Sequence, residues 1–528
     1  MTPLSWVKAA LACCCLEWSH QAHFEGREGM NWFWLRSRRH SRVSAAGGLS
    51  YDCVARPARR RAARRILCAL LSVVMAGAAA GCTGSPGSTG QGRAATGASP
   101  SPVFVSRTVP DAAVGRQLTW FLGAVVDVPW SRQVIQAHFD SGFLAQVSPD
   151  QINSLLEEVS VRLGASLTGV LWQYPARDPV TLRAVADIGG LQSAVSISVD
   201  SAGLISGLLL MPYQPPPTSW AQVDQDLGAL APDASLLVAR VSPGGSCTPV
   251  HQVAASTARP LGSMFKLFVL GALAHQIAAG RVSWTQELTV TAALKSGGSG
   301  SLQDVPAGTR LSVQQTAAKM ISISDNTAAD MLIHLAGRSA VQAQDRQWSD
   351  HAALNVPFLT ARESLLLKII NYPALANHYL SLAPGQRAAF LASSVDPLPF
   401  NQAQLQNLSQ AWTEPRDIDT IEYFASPDDI CRAFAGLRQL AAQPALSPLG
   451  SILSANNGDI ELDPAQWPTV WFKGGSEPGV LTLGYLATNS KGQTFVVVGM
   501  LANPTAAPPP QATAGLLAIA QGAFGLVR

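Results

Sequence analysis

Hydrophobic and polar positions alternate with two different periods along the first folded part of this chain. Residues 114–126 and 151–163 carry apolar side chains at helical spacing, and Ser148-Pro149-Asp150 supplies a cap for the second helix. Runs with a period of two follow at residues 167–174, 181–188, 194–199 and 204–211. Helices followed by such a meander predict a small α+β domain over residues 103–213, in which one curved antiparallel sheet wraps a helix.

The pattern changes after the proline-rich boundary at residues 214–218. Residues 236–241 predict a short strand, and residues 263–279 are apolar on nearly all sides, which predicts a helix buried over most of its surface. Further elements are strands at 470–473, 480–488 and 493–501 and a closing apolar helix at 512–527. Together these elements predict one large α/β domain over residues 219–528, made of an antiparallel sheet plus a helical lobe.

The small α+β domain resembles cystatin-like or steroid-isomerase-like folds. His138 and Asp187 are acid/base residues by type, but no partner for either is apparent in the sequence. A surface or structural role is therefore the favoured interpretation of both.

Composition and charge limit the classes of partner. The chain has 528 residues, 47% of them hydrophobic and 13% charged, which is enough for two domains with sizeable cores. The formal net charge of +3 combines a balance of +8 in residues 1–81 with −5 in residues 82–528. Because a nucleic-acid interface needs a strongly basic surface, we expect no nucleic-acid partner.

The residues before position 82 have the layout of an export signal. Arginines at residues 56–65 precede an apolar stretch at 66–80 that is too short for a comfortable membrane span. Ala79-Ala80-Gly81-Cys82 resembles a bacterial lipobox, so we expect lipidation of Cys82 and anchoring to the outer face of the cell membrane. The alternatives are an ordinary secretory signal with a chance cysteine, or twin-arginine export at Arg64-Arg65.

The segments on either side of this signal differ in composition. Residues 1–50 show no period, and we interpret residues 1–81 as a start assigned too far upstream followed by the signal peptide. Residues 82–102 are rich in Gly, Ser, Thr and Pro and predict a flexible tether. Beyond it only Cys247 and Cys431 remain, either as one disulfide or as two buried thiols. No residues have metal-ligand spacing, and we expect no metal and no cofactor.

A serine three residues before a lysine, where the apolar helix begins, is the candidate nucleophile. Ser263 and Lys266 would share one helix face. A serine hydroxyl attacks only when a neighbour takes its proton, and apolar burial lowers the pKa of a lysine enough to make it a base. The alternative is a helix-capping serine beside a lysine that extends to solvent.

Two further short motifs supply polar candidates. Ser324 is suited to relay a proton to a leaving group, and Asn326 to hold a substrate amide oxygen or the lysine. Lys473 ends a predicted strand and offers a cation to a substrate carboxylate, while Gly475 lets the substrate backbone approach closely. The N–H of Ser476 would join that of the nucleophile as an oxyanion hole. Taken alone, each motif is typical of a helix cap or a basic strand end.

The order of the three motifs resembles that of the penicillin-recognising serine enzymes, which include class A β-lactamases and penicillin-binding proteins. Ser324 follows Ser263 by 61 residues, and Lys473 follows Ser263 by 210 residues. The resemblance covers residues 219–528 and implies a β-lactamase/DD-peptidase-like fold. Further similarity, to actinobacterial β-lactamase-like lipoproteins and to the β-lactamase-like protein of clavulanic acid gene clusters, lies at residues 357–363, 422–427 and 471–479.

Two departures from the family pattern narrow the expected chemistry. Gly474 stands where the family has Thr or Ser, so a hydroxyl that helps to bind the substrate carboxylate is missing. The class A enzymes deacylate with a glutamate that is followed by asparagine, and that pattern is absent from this sequence. Glu363 is the nearest glutamate, and Thr360-x-x-Glu363 predicts a capping box for a helix over residues 361–370.

The combined prediction is an exported lipoprotein serine hydrolase in which Ser263 forms an acyl-enzyme with a small acyl substrate. That substrate is an ester, a β-lactam or a peptidoglycan peptide. An esterase or amidase is favoured, since the resemblance implies esterase-type activity more than efficient β-lactam hydrolysis. The alternatives are a genuine class A-type β-lactamase and a non-catalytic envelope lipoprotein that binds a ligand in the same pocket.

Overall fold

A computed structural model of the chain describes residues 108–144, 147–158, 165–173, 180–399, 411–509 and 511–528. The predicted export signal, the lipidation site at Cys82 and the tether lie outside the described residues. No helix among the described residues has both the length and the apolar character that crossing a membrane requires.

The first part of the described chain consists of helices followed by a four-stranded sheet, in the order that the hydrophobic pattern predicts. The helices are α1 (Ala113–Ala124), α2 (Arg132–His138), α3 (Ser141–Leu144) and α4 (Pro149–Glu158). The strands are β1 (Ala165–Gln173), β2 (Val180–Ile188), β3 (Leu191–Val199) and β4 (Ile205–Pro212). The strands pair antiparallel in sequence order and bury one apolar cluster against the helices. The boundaries of this domain stay a prediction.

A five-stranded antiparallel sheet forms the centre of the second part. Its strands are β5 (Asp233–Val241), β6 (Cys247–Val253), β11 (Thr469–Glu477), β12 (Val480–Thr488) and β13 (Thr494–Ala502), in the order β11-β12-β13-β5-β6. Because β13 pairs with β5, the sheet joins two segments far apart in sequence. On one face it packs against α5 (Trp220–Leu230) and α15 (Ala512–Leu526), and the helical lobe covers the other.

The helical lobe is built from the segments between β6 and β11. Its helices are α6 (Lys266–Ala278), α7 (Val313–Ser322), α8 (Asn326–Ala336), α9 (Arg338–Trp348), α10 (Ala361–Ile369), α11 (Ala374–Ser381), α12 (Pro384–Phe390), α13 (Pro427–Ala441) and α14 (Pro448–Leu453). Short strand pairs join β7 (Arg259–Pro260) to β10 (Phe424–Ala425) and β8 (Glu287–Thr289) to β9 (Arg310–Ser312). This arrangement confirms the predicted fold class of an antiparallel sheet plus a helical lobe.

Three local features answer or correct the sequence predictions. A disulfide joins Cys247 in β6 to Cys431 in α13, so the two cysteines are not separate thiols. Ser263 lies on a 3-10 turn over Gly262–Phe265, three residues before the start of α6, and not inside the α-helix. The lysine-glycine motif lies in the middle of β11, because the ladder with β12 continues to Glu477, and the prediction that Lys473 ends its strand is wrong.

Candidate active site

The candidate site begins at the turn that precedes α6. The 3-10 turn Gly262–Phe265 presents Ser263 at a partly exposed position, while the first residue of α6, Lys266, is fully buried. Since the two residues are three apart on a helical path, their side chains meet, and the Lys266 Nζ lies 2.9 Å from the Ser263 Oγ. The amine is therefore within reach of the hydroxyl proton that a nucleophilic serine must lose.

The surroundings of Lys266 determine its charge. Its Nζ contacts the Ser324 carbonyl oxygen at 2.6 Å, the Asn326 Oδ1 at 2.6 Å and the Ser324 Oγ at 3.1 Å, besides the Ser263 hydroxyl. Burial lowers its pKa to about 7, although the carboxylates of Asp325 and Asp330 act in the opposite direction. Half of the molecules therefore carry a neutral amine near neutral pH.

The hydrogen bonds of Lys266 fit that neutral form. A carbonyl oxygen can only accept, so the contacts to Ser324 and Asn326 use two N–H groups of the amine. A neutral amine has two N–H groups and one lone pair. With both N–H groups engaged, the lone pair remains for a hydroxyl proton, and the Ser263 hydroxyl is in position to give it.

Ser324 lies at the meeting point of the two buried lysines of the site. Its Oγ is 3.1 Å from the Lys266 Nζ and 3.0 Å from the Lys473 Nζ. The residue has a left-handed backbone with φ +54°, which costs a non-glycine residue about 1–3 kcal/mol. The adjacent Asp325 holds this conformation, since its carboxylate caps α8 and accepts the N–H groups of two residues in the facing loop, Ser301 and Leu302.

Asn326 holds the lysine through one end of its amide and the protein backbone through the other. Its Oδ1 accepts from the Lys266 Nζ, and its Nδ2 donates to the carbonyl oxygen of Gly297 at 2.8 Å. Of the two roles considered from the sequence, the geometry matches contact with the lysine. An incoming amide oxygen would have to compete with Gly297 for the Nδ2 group.

Lys473 approaches the site from the sheet. Its side chain is fully buried, and its Nζ donates to the carbonyl oxygen of Gly474 at 2.6 Å as well as contacting the Ser324 hydroxyl. Burial, with a smaller effect of the nearby Lys266, holds its pKa well below the usual range of a lysine. A substrate carboxylate would act against this shift, because an opposite charge favours the ammonium form.

The backbone of β11 comes unusually close to the nucleophile turn. A side chain at Gly475 would place its Cβ 2.1 Å from the Leu261 carbonyl oxygen and 2.5 Å from the Ser263 nitrogen. A side chain at Gly262, which has φ +51°, would place its Cβ 2.8 Å from the Ser476 nitrogen. Only glycine fits at both positions, and the amide nitrogens of Ser263 and Ser476 lie on the two facing segments, as an oxyanion hole requires.

The Glu363 carboxylate is bound within the fold and is not a free base. The capping box predicted from Thr360 and Glu363 is confirmed at the start of α10, where the Glu363 Oε2 accepts the Thr360 N–H at 2.6 Å. Arg338 donates to both carboxylate oxygens, at 3.0 and 2.6 Å, and the Glu363 side chain is fully buried. Both oxygens are thus occupied within the fold.

Sequence reasoning missed one buried acid near the lysine. Asp330 in α8 accepts the N–H groups of Ala361 and Arg362 at the start of α10, at 2.7 and 2.9 Å. Burial raises its pKa to about 7, and its carboxylate favours the charged form of Lys266. It lies six residues beyond Ser324, inside the helix that follows that motif, and that position was the available signal.

The two acid/base residues of the first part of the chain have structural contacts. The His138 ring stacks on Trp120 with centroids 3.5 Å apart, and its Nδ1 lies 2.9 Å from the Gln117 Oε1. Asp187 accepts the N–H of Gly190 in the turn between β2 and β3. No group of three or more metal-ligating side chains occurs among the described residues.

Comparisons with known proteins support membership of the β-lactamase superfamily. Residues 246–376 match the model of a family described as "Beta-lactamase enzyme family", which confirms the resemblance to the β-lactamase superfamily. Residues 109–205 match a family described as "ORF 12 gene product N-terminal". A search of curated proteins found no match.

Solved structures to which the chain is similar include two β-lactamases and PBP-A. The enzyme from Sphaerobacter thermophilus shares 21% identity over 58% of this chain and 96% of its own, with a TM-score of 0.39. PBP-A shares 17% identity over 59% of this chain and 98% of its own, with a TM-score of 0.38. The β-lactamase from Burkholderia phymatum shares 17% identity over 58% and 97%, with a TM-score of 0.39.

Proposed function

We propose that this chain, a β-lactamase-like protein by its family match, is a serine hydrolase that forms an acyl-enzyme at Ser263 and turns over esters or amides better than β-lactams. The observation that carries the proposal is the buried Lys266 amine, 2.9 Å from the Ser263 Oγ, with a pKa lowered to about 7. A base of that pKa is well matched to proton transfer at neutral pH.

The proposed acylation follows from the contacts. The Ser263 Oγ attacks the carbonyl carbon of the substrate while its proton passes to the Lys266 lone pair. The carbonyl oxygen becomes an oxyanion that accepts from the N–H groups of Ser263 and Ser476. The proton then moves from Lys266 through the Ser324 hydroxyl to the leaving alkoxide or amine, and the carbonyl-to-leaving-group bond breaks. An ester of Ser263 remains.

Substrate binding would involve the residues that strand β11 contributes to the site. A substrate carboxylate would have to replace one of the present hydrogen bonds of Lys473, whose Nζ lies beside the Ser324 hydroxyl. Gly474 contributes no hydroxyl there, and a Cβ at that position would lie 2.8 Å from the Thr482 carbonyl oxygen. A substrate held mainly through its carboxylate, as a β-lactam is, therefore gains less here than in the family pattern.

Deacylation is the step that separates an esterase from a β-lactamase. The Glu363 carboxylate caps α10 and pairs with Arg338, so it supports no activated water in this geometry. A simple ester releases its leaving group and leaves a small acyl chain, whereas an opened β-lactam keeps its bulky leaving portion attached. We therefore propose that β-lactam adducts persist while small acyl groups turn over.

Two alternatives make different predictions. A genuine class A-type β-lactamase would hydrolyse nitrocefin over many rapid turnovers. A non-catalytic binding protein would bind ligand without a covalent adduct, but the lowered pKa of Lys266 favours a catalytic site. The cellular setting that we propose is a lipoprotein anchored outside the cytoplasm through Cys82, based on the lipobox alone.

Intact mass spectrometry after incubation with a penicillin and with a p-nitrophenyl ester tests the proposal. We expect one adduct at Ser263, long-lived with the penicillin and short-lived with the ester. Ser263→Ala should lose both adducts, while Ser451→Ala, a change at an exposed serine of α14, should keep them. Unchanged labelling of Ser263→Ala would refute Ser263 as the nucleophile.

A further inference from the structure

A buried charge cluster lies beside the candidate oxyanion hole and has no role in the acylation steps. It consists of Lys368 in α10, Glu422 just before β10, and Glu477 at the end of β11. The Lys368 Nζ is 2.5 Å from the Glu477 Oε1 and 3.2 Å from the Glu422 Oε2. The side chains of Lys368, Glu422 and Glu477 are 0%, 2% and 14% exposed.

The Glu422 arm of the cluster reaches the turn that carries the nucleophile. The next residue, Tyr423, accepts the Leu261 N–H at its carbonyl oxygen, 2.8 Å away, immediately before the 3-10 turn. Its ring stacks on Phe265 at the other end of that turn, with centroids 3.8 Å apart and planes 16° from parallel. Tyr423 therefore contacts both ends of the turn that contains Ser263, one end through its backbone and the other through its ring.

The Glu477 arm reaches the opposite wall of the same hole. Glu477 directly follows Ser476, whose nitrogen faces Gly262 at the closest approach of β11 to the turn. A displacement of the Glu477 carboxylate would pull on the peptide that carries the Ser476 N–H. Oxyanion donors work only within a few tenths of an ångström of their place, so such a displacement would be felt in the rate.

We propose that Lys368 is a positioning residue, which fixes the distance between the Ser263 and Ser476 N–H groups by binding Glu422 and Glu477 together. The inference rests on the proposed acylation at Ser263 and names the device that keeps its oxyanion hole in shape. Lys368 itself touches no reacting atom.

The backbone of Lys368 is held from a second side. Its carbonyl oxygen accepts from the Arg416 Nη1 at 2.8 Å, and the Arg416 guanidinium lies over the Tyr372 ring, 4.7 Å from its centroid. The Lys368 Nζ also lies 5.6 Å from the centroid of the Trp412 ring. A lysine fixed at its backbone and at its ammonium is a rigid link between two elements, as a positioning role requires.

The direction in which one substitution changes the acylation rate distinguishes positioning from a direct electrostatic effect. Glu477→Gln keeps the shape of the side chain and the Lys368–Glu422 contact, but it removes the ion pair between Lys368 and β11 and alters the hydrogen bond between Glu477 and Glu422. If Glu477 acted only through its charge, its removal would speed acylation, because negative charge near a developing oxyanion is unfavourable. Positioning predicts a slower acylation instead.

The test is a burst measurement with p-nitrophenyl acetate on the full chain. We expect Glu477→Gln and Glu422→Gln each to lower the acylation rate constant by about tenfold or more with little change in the dissociation constant of the noncovalent substrate complex, since misplaced donors lose transition-state binding only. Ile519→Val, a change in α15 on the far face of the sheet, controls for loss of stability alone. An unchanged or faster rate in Glu477→Gln would overturn the proposal.

Hydrogen exchange gives a readout that does not depend on catalysis. In Glu477→Gln we expect faster amide exchange in peptides over residues 258–265 and 474–481, and no such change in Ile519→Val. If wild-type Ser263 takes no acyl group, the proposed hydrolase function fails, and exchange still decides the positioning role. If Ser263 is acylated but neither rate nor exchange responds to Glu477→Gln, positioning fails and the hydrolase function stands.

Discussion

The rate of acylation should depend on pH with a midpoint near 7, because Lys266 must be neutral to take the Ser263 proton. An ordinary lysine with a pKa of ~10.4 is neutral in about one molecule in 2,500 at pH ~7. Burial lowers the pKa of Lys266 to about 7, which makes half of the molecules competent. The gain in competent base is on the order of a thousandfold, or about 5 kcal/mol of altered proton affinity.

The fall of the acylation rate at low pH depends on two groups, Lys266 and Asp330. Asp330 also has a pKa raised to about 7 by burial, and its carboxylate favours the charged lysine, so the two groups titrate together. Asp330→Asn removes that carboxylate, and we expect the midpoint of the fall to move to lower pH. Loss of one accepted backbone N–H at α10 should also lower stability by about 1–3 kcal/mol.

The assay is the rate constant of the p-nitrophenolate burst with substrate in excess, from about pH 5 to about pH 9. Below the midpoint we expect about a tenfold fall in the rate constant per pH unit, and above it a plateau. Ser263→Ala at each pH supplies the background hydrolysis of the ester. A rate constant that keeps rising with the same slope to about pH 9 would mean that Lys266 has an ordinary pKa and would refute the reasoning.

Three further predictions follow from the packing. Gly475→Ala should lower the acylation rate constant by about 100-fold or more in the burst assay, because its Cβ would displace the Leu261 carbonyl oxygen and the nucleophile turn. The control is Gly228→Ala on α5, whose Cβ meets open space and should leave the rate constant unchanged. Glu363→Gln should cost about 2 kcal/mol in urea unfolding, since it removes the ion pair with Arg338, whose side chain is 28% exposed, while glutamine can still cap α10. The lifetime of a penicillin adduct should stay unchanged by mass spectrometry. Replacing the 247–431 disulfide by two alanines should lower the unfolding free energy by about 2–5 kcal/mol, because the bridge closes a loop of 184 residues, and a reducing agent should affect only the wild type.

The fold could be predicted where the sequence has a clear period. Residues 480–488 were predicted as a strand and form β12 with the same bounds, because the run is apolar and ends at a turn. The prediction failed at Lys473, where two glycines resemble a strand end. β12 and the nucleophile turn hold those glycines in the ladder, and that tertiary contact is invisible in a single sequence.

The candidate site could be predicted only as far as its motifs extend. Ser263, Lys266 and Ser324 were named from spacing, and the structure places both serine hydroxyls within 3.1 Å of the Lys266 Nζ. Lys368 and Glu477 were not named, since 109 residues separate them and neither belongs to a short motif. Their proximity depends on how α10 packs against the end of β11, which follows from the whole fold.

The contrast between Lys266 and Lys368, which the fold buries to the same extent, supports the proposal of a catalytic site over simple binding. Lys368 pairs with two carboxylates, which hold its pKa above the usual range despite burial. Lys266 is buried to the same extent, but its hydrogen-bond partners among the described residues are hydroxyl and carbonyl oxygens, and its pKa falls to about 7. A fold under selection for stability alone would pair both, since a buried amine without a carboxylate is destabilising. A buried amine that is hydrogen-bonded to hydroxyl and carbonyl oxygens, as Lys266 is, destabilises the fold but has the lowered pKa that a general base requires.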